Sequence, residues 1–327
     1  METYRQTKAD WKRFLEALMK GRELIAPVKR DLVRFERVKD IEDIHLKSMS
    51  YFPAKHWFFP EEQTLFRFSK KGFEMPKQKE PRRVFFGLRK CDLNAIKHQD
   101  MVFIKQAKDP YYKALRKKSL LLGYHCRTAP SPFCFCESLG LPDFFDLLYY
   151  ERKDHFVVEV GSAKGKALVK KYGRWFHAEK GLTPEQRRIK NADTLEETDI
   201  GRFYDHPGWK EGVNLCLSCG ACTALCPTCY CHSIHDEVTV ADPGSGERKR
   251  QWSSCQLQGF TKVAGGHVFR KDRESRFKHR IYHQLEWFRE KNKVPLCTGC
   301  GRCIQGCPTR IDWVSMINRM KDDEHRT

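Results

Sequence analysis

At 327 residues the chain is long enough for two domains with a real hydrophobic core, and a 40% hydrophobic content excludes a disordered polymer. Its formal charge of +19 invites a nucleic-acid partner, but the Lys and Arg residues are spread along the whole chain, and a positive face equally suits an acidic redox partner. No stretch approaches the ~18 apolar residues of a bilayer span, and METYRQTKADWKRF carries no apolar signal region, so a reducing cytoplasmic setting is expected.

In chain order, Trp11, Phe14, Leu15, Leu18 and Met19 recur at helical spacing between Asp10 and Gly21, which predicts an amphipathic helix with Gly21 at its end. RVFFGL (83–88) and SLLLGY (119–124) read as short buried strands. The helical stretch from Cys91 to Ile104 and the Asp109-Pro110 loop lie between them, so a βαβ-like unit is expected. Residues 145–151 and 156–160 read as a hairpin, followed by a helix over 164–171. Thr183, Pro184 and Glu185 carry helix-start chemistry, and the polar stretch 191–198 marks a boundary. Further on, residues 237–241 and 248–252 flank the turn-rich DPGSGE, a second hairpin. Phe277, Ile281, Leu285 and Phe288 then set the buried side of a helix whose many charges read as a solvated face.

The fold class expected is α+β. Residues 1–198 form a mixed α/β domain, and residues 199–327 form a mainly α-helical two-cluster ferredoxin-like domain with an inserted β-hairpin.

Fifteen cysteines dominate the chemistry. Cys216, Cys219, Cys222 and Cys226 with Pro227 spell C-x2-C-x2-C-x3-C-P, and Cys297, Cys300, Cys303 and Cys307 with Pro308 repeat it. A zinc site uses two separated cysteine pairs, whereas each run packs four thiols together, the ligand pattern of a 4Fe-4S cluster. In two-cluster ferredoxins the fourth cysteine of each run serves the other cluster. The expected sets are therefore Cys216, Cys219, Cys222 and Cys307 for one cluster, and Cys297, Cys300, Cys303 and Cys226 for the second. Gly220 and Gly301 permit the tight turns, and the proline after each fourth cysteine is placed to start a helix.

Cys91, with Cys126, Cys134 and Cys136 in CRTAPSPFCFC, supplies four thiols for a third 4Fe-4S cluster, against the plainer reading that some of them merely pack. Cys229, Cys231 and Cys255 remain, with packing, shielding of a cluster or alternative ligation open to them. His232, His235 and His267 are expected to be ordinary packed side chains.

The ordered segments FFGLRKCDLNAIKHQDMVF, CRTAPSPFCFC, CLSCGACTALCPTCYC, WSSCQLQGFTKVAGGHVFR and CTGCGRCIQGCPTRID resemble one family. It is the iron-sulphur subunit seen as the beta subunit of cytoplasmic sulfhydrogenases and as the A subunit of anaerobic sulfite reductases. The resemblance runs from about Tyr51 to Met320. It implies a non-catalytic relay, passing single electrons between a flavin subunit that handles NAD(P)H, or a ferredoxin-linked partner, and a separate catalytic subunit of hydrogenase or sulfite/sulfur reductase type. It also favours ligands at Cys91, Cys126, Cys134 and Cys136. In agreement, neither GxGxxG nor GxxxxGK[ST] occurs, and no catalytic acid/base set is evident. Two other classes compete: an iron-sulphur redox sensor that binds nucleic acid, supported only by charge, and a reductase with substrate on an open iron.

Overall fold

The computed structural model describes residues 1–324. A strand, β1 (Thr3–Thr7), passes directly into helix α1 (Lys8–Met19). The Thr7 side chain accepts from the Asp10 amide at the helix start, and Trp11, Phe14, Leu15 and Leu18 share the buried face. Gly21 lies one residue beyond the observed cap, Lys20. Next come the antiparallel strands β2 (Glu23–Lys29) and β3 (Val33–Arg37), then β4 (Glu62–Ser69) and β5 (Gly72–Glu74).

The βαβ unit has the boundaries expected for its strands. β6 (Arg83–Leu88) leads into α2 (Lys90–Gln99), a π-helical stretch over Asp100–Gln106 and α3 (Pro110–Lys117), and β7 (Ser119–Tyr124) returns parallel to β6. β8 (Leu147–Glu151) and β9 (His155–Val160) form the first hairpin, α4 (Ala163–Tyr172) follows, and β10 (His177–Ala178) closes the set. Behind Thr183 the predicted helix is a single turn, Pro184–Arg187.

These strands make an eight-stranded mixed sheet in the order β10-β1-β9-β8-β7-β6-β2-β3. Alternation sorts its side chains: Val84 and Phe86 join α1 and α4 residues in one core, while Phe85 and Leu88 join Leu93, Ile96, Phe103 and Tyr112 in the other.

The second hairpin is made of β11 (His232–Thr239) and β12 (Asp242–Trp252). It reverses at Val240 and Ala241, earlier than DPGSGE, which runs within β12 behind a register irregularity at Val238/Thr239. Nor is it a free-standing insertion, because β12 pairs with β4 and a four-stranded sheet β11-β12-β4-β5 results. A third core, including Trp209, Phe277, Ile281, Leu285, Trp313 and Ile317, surrounds the cysteine runs.

Candidate metal centres

The two cysteine runs adopt the same local path. Ser218 and Gly299 occupy equivalent left-handed positions at φ 52° and 63°, as do Gly220 and Gly301 at 78° and 71°. These turns fold each C-x2-C back on itself, so that the Ser218 and Gly299 amides donate to Cys216 Sγ and Cys297 Sγ, both at 3.4 Å. A helical turn follows, Ala221–Ala224 or Arg302–Gln305, carrying the third cysteine. The fourth cysteine lies just past that turn. Pro227 and Pro308 sit in non-helical turns rather than starting helices, which corrects the expectation from sequence. The role of each turn is visible in the next residue: Thr228 Oγ1 lies 3.2 Å from Cys226 Sγ, and Thr309 Oγ1 lies 3.4 Å from Cys307 Sγ.

Three hollows gather the predicted residues. One is bordered by Cys216, Cys219, Cys222 and Cys307, and a second by Cys226, Cys297, Cys300 and Cys303. A third is bordered by Cys91, Cys126, Cys134 and Cys136. Two of its cysteines arrive from the sheet: Cys91 follows β6 and Cys126 follows β7, so both leave the carboxyl edge of neighbouring parallel strands, and Cys134 and Cys136 come from the loop that follows. The hollows abut in sequence. Arg280, Gln284, Cys303 and Trp313 border both the first and the second, and Cys300 borders both the second and the third. The closeness of the last two requires glycine, since a Cβ on Gly299 would come within 2.5 Å of Cys136 N. There the Phe135 amide donates to Gly299 O at 2.8 Å.

Helix α2 locks this arrangement to the large sheet. Asp92 binds Arg302 through Oδ1–Nη1 at 2.8 Å and Oδ2–Nη2 at 3.3 Å, and both side chains are 2% exposed. The same guanidinium donates to Ser50 O and Ser50 Oγ. Burial pushes the His98 imidazole down to about 4, so it is neutral and donates Nδ1–H to Leu296 O. Gln99 donates to Pro227 O at 3.0 Å. One helix thus touches both cysteine runs.

The polar atoms around the hollows fit an anionic guest. Ser218 Oγ, Thr298 Oγ1 and Arg280 Nε are buried without a hydrogen-bond partner among the described residues, an expensive condition that sulphide acceptors would relieve. Burial opposes the Arg280 charge, yet the Cys229, Cys226, Cys222 and Cys303 sulphurs around it, once ionised, outweigh that and hold it firmly protonated. Burial also pushes Cys222, Cys300 and Cys134 up to about 12 and Cys303 to about 11, so an iron guest must displace their protons to gain thiolate ligands. No three His, Cys, Asp or Glu side chains among the described residues converge as closely as a single bare ion demands. The four cysteines predicted for each hollow match the ligand number of a 4Fe-4S cluster.

Sequence reasoning missed several of these residues. Arg280 belongs to a helix read as a solvated charged face, but it is half-buried and borders two hollows, and its neighbours Arg276 and Lys278 are buried. Thr228 and Thr309 were findable, because C-P-T occurs at the end of both runs. Trp313 Nε1 donates to Cys303 Sγ at 3.4 Å. Among the histidines, His232 meets the Tyr230 carbonyl, His235 lies near Glu237, His267 packs edge-on to Phe269, and none of them borders the three hollows.

Comparison with known proteins supports an iron-sulphur assignment. Residues 215–311 match a family model described as a 4Fe-4S dicluster domain. Over 330 aligned residues the chain is 30% identical to Sulfhydrogenase 2 subunit beta of Pyrococcus furiosus, covering 94% of this chain and 95% of that one. No solved structure matches.

Proposed function

We propose, from the premise that this chain belongs to the family of iron-sulphur subunits that includes Sulfhydrogenase 2 subunit beta, that it relays single electrons along three 4Fe-4S sites. Cys216, Cys219, Cys222 and Cys307 would hold the first cluster, and Cys297, Cys300, Cys303 and Cys226 the second. Cys91, Cys126, Cys134 and Cys136 would hold the third. Such clusters supply one-electron chemistry when bound. The chain's own part is to hold them in line, keep water away and set the local charge.

The single observation that carries the reading is the abutting of the three hollows through shared residues. Each residue between them has a definable task. Arg280 places a half-buried positive charge between the first and second sites, which favours the more negative, reduced state and raises potential. Thr228, Thr309, Trp313 and the Ser218 and Gly299 amides bear on individual ligand sulphurs. Cys219 is the exposed cysteine, with Leu217 beside it at 64% exposure, so the first site opens towards a partner. The third site lies at the other end, buried beneath α2 and the 126–136 loop.

The partners proposed are a flavin-containing NAD(P)H-linked or ferredoxin-linked subunit and a catalytic subunit of hydrogenase or sulfite/sulfur reductase type. Residues 1–198 supply the third site and residues 199–327 the other two, in a cytoplasmic assembly. No described helix is long and apolar enough to cross a membrane. Anaerobic native purification with iron counting tests the reading: three sites require roughly twelve iron atoms per chain. Material with zinc in their place, or without low-potential paramagnetic iron signals, refutes it.

A further inference from the structure

Three of the fifteen cysteines border none of the hollows: Cys229, Cys231 and Cys255. They are not scattered. Cys231 precedes β11 and Cys255 follows β12, so the hairpin brings them to the same end. His232 pairs with Trp252, and the Ser253 amide donates to Cys231 O at 3.0 Å. From that base the two thiols reach one another and are hydrogen-bonded, Cys231 half-buried and Cys255 buried. Cys229 turns away to Cys226.

A second observation bears on the same spot. Lys55 is 4% exposed, and its ammonium donates to Cys229 O at 3.2 Å and Thr223 O at 3.5 Å, over the Trp252 ring at 3.7 Å. It has no carboxylate ion-pair partner among the described residues. A buried ammonium without a counter-charge is costly, so this lysine needs nearby anionic sulphur. Burial lowers its proton affinity, and Cys229, Cys226 and Cys231 oppose that most strongly.

We propose that Cys231 and Cys255 form a redox-active dithiol that exchanges with low-mass disulfides, Cys231 attacking and Cys255 resolving. The Cys231 thiolate bonds to one sulphur of R–S–S–R and expels one thiolate RS⁻, which takes up the proton Cys231 gave up. Cys255 Sγ then attacks Cys231 Sγ in that mixed disulfide and closes an intramolecular S–S bond. The second RS⁻ leaves with the Cys255 proton. One external disulfide is thus reduced to two thiols while the protein dithiol is oxidised to one disulfide, two electrons and two protons passing between them.

The division of roles follows from position. Cys231 is the less covered of the two residues, so an external disulfide meets it first, and Cys255 lies beside it, so closure needs only a short approach across the hairpin's base. The chemistry of the pair agrees: the bond to Cys255 is the main cause bringing Cys231 down to about 7, near the value at which an attacking thiol is most effective. The same bond and burial push Cys255 up.

The test uses the anaerobically purified, iron-loaded chain with oxidised glutathione as the probe, followed by acid quench, alkylation and peptide mass spectrometry. The expected product is a Cys231–Cys255 disulfide that dithiothreitol reverses, and Cys255→Ser should stop the reaction at a glutathione adduct on Cys231. Cys231→Ser and Cys255→Ser should each keep the wild-type iron content. In unmodified wild type, iodoacetamide should label Cys231 at least tenfold faster than Cys255, a measurement that needs no variant to fold. Absence of the intramolecular disulfide, or iron loss in either serine variant, overturns the proposal; iron loss would make that cysteine a cluster ligand.

Discussion

Replacing Asp92 with Asn tests whether α2 holds the second cysteine run in place. Arg302 lies between Cys300 and Cys303, and its guanidinium has two bonds to the Asp92 carboxylate and two to Ser50. Asparagine keeps the shape and one acceptor, but turns an amide NH2 towards an Nη and leaves a guanidinium uncompensated at 2% exposure. Breaking one side of a buried pair costs ~3–5 kcal/mol. Neighbouring Cys300 and Cys91 sulphurs also support the Arg302 charge, which favours the lower end, ~3 kcal/mol. At about 1.4 kcal/mol per tenfold, that corresponds to roughly a hundredfold faster iron release if the whole loss appears in the opening rate. The assay is cluster absorbance against time in urea under nitrogen, with paramagnetic spectra identifying which site empties first. Asp92→Asn combined with Arg302→Met should recover part of the loss, because an apolar pair leaves no stranded charge. A change below threefold in the single variant, or no recovery in the double, refutes the reasoning.

Crossed ligation makes an unusual forecast: Cys307→Ser should alter the spectrum of the site built on residues 216–222, and Cys226→Ser that of the site built on 297–303, each measured by paramagnetic resonance. Thr228→Val and Thr309→Val remove hydroxyl contacts to a ligand sulphur at ~1 kcal/mol each, so redox titration should find one-electron potentials lower by about 40 mV. Cys134→Ser should reduce the iron count by about four atoms per chain while sparing the two C-terminal signals. Burial depresses His98, His125 and His283 to about 4 and His279 to about 3. Their folded values lie below the ~6.5 of an unfolded histidine, so the unfolded chain binds more protons on acidification. Urea midpoints should therefore be level above about pH 7 and fall as pH drops from ~6.5 towards ~4; a flat profile would contradict the burial of these rings.

Much of the large sheet was legible because RVFFGL and SLLLGY are short apolar runs with a helical segment between them, and the parallel pair β6/β7 is their direct outcome. The same unit explains why the Cys91 and Cys126 grouping could be anticipated, since both follow the ends of adjacent strands. The first fifty residues were harder. Pro27 stands inside β2, where a missing amide argues against a strand, yet its carbonyl accepts from His45 N and its register partner is Phe35. β4 was hidden for another reason: its partner β12 lies far along the chain, and local periodicity carries no sign of long-range pairing. Arg280 was misread because a charge in a charge-rich helix is ordinarily solvated, and nothing within its own helix reveals the hollows on either side.

The placement of Cys307 has a consequence for biosynthesis. A hollow that opens with Cys216 is closed by a residue made 91 positions later. The quartet at Cys91, Cys126, Cys134 and Cys136 is complete long before that. Iron delivery to the nascent chain would accordingly be ordered, amino-terminal site first, and a ribosome stalled before Cys307 would release a product able to mature at one end but not at the other.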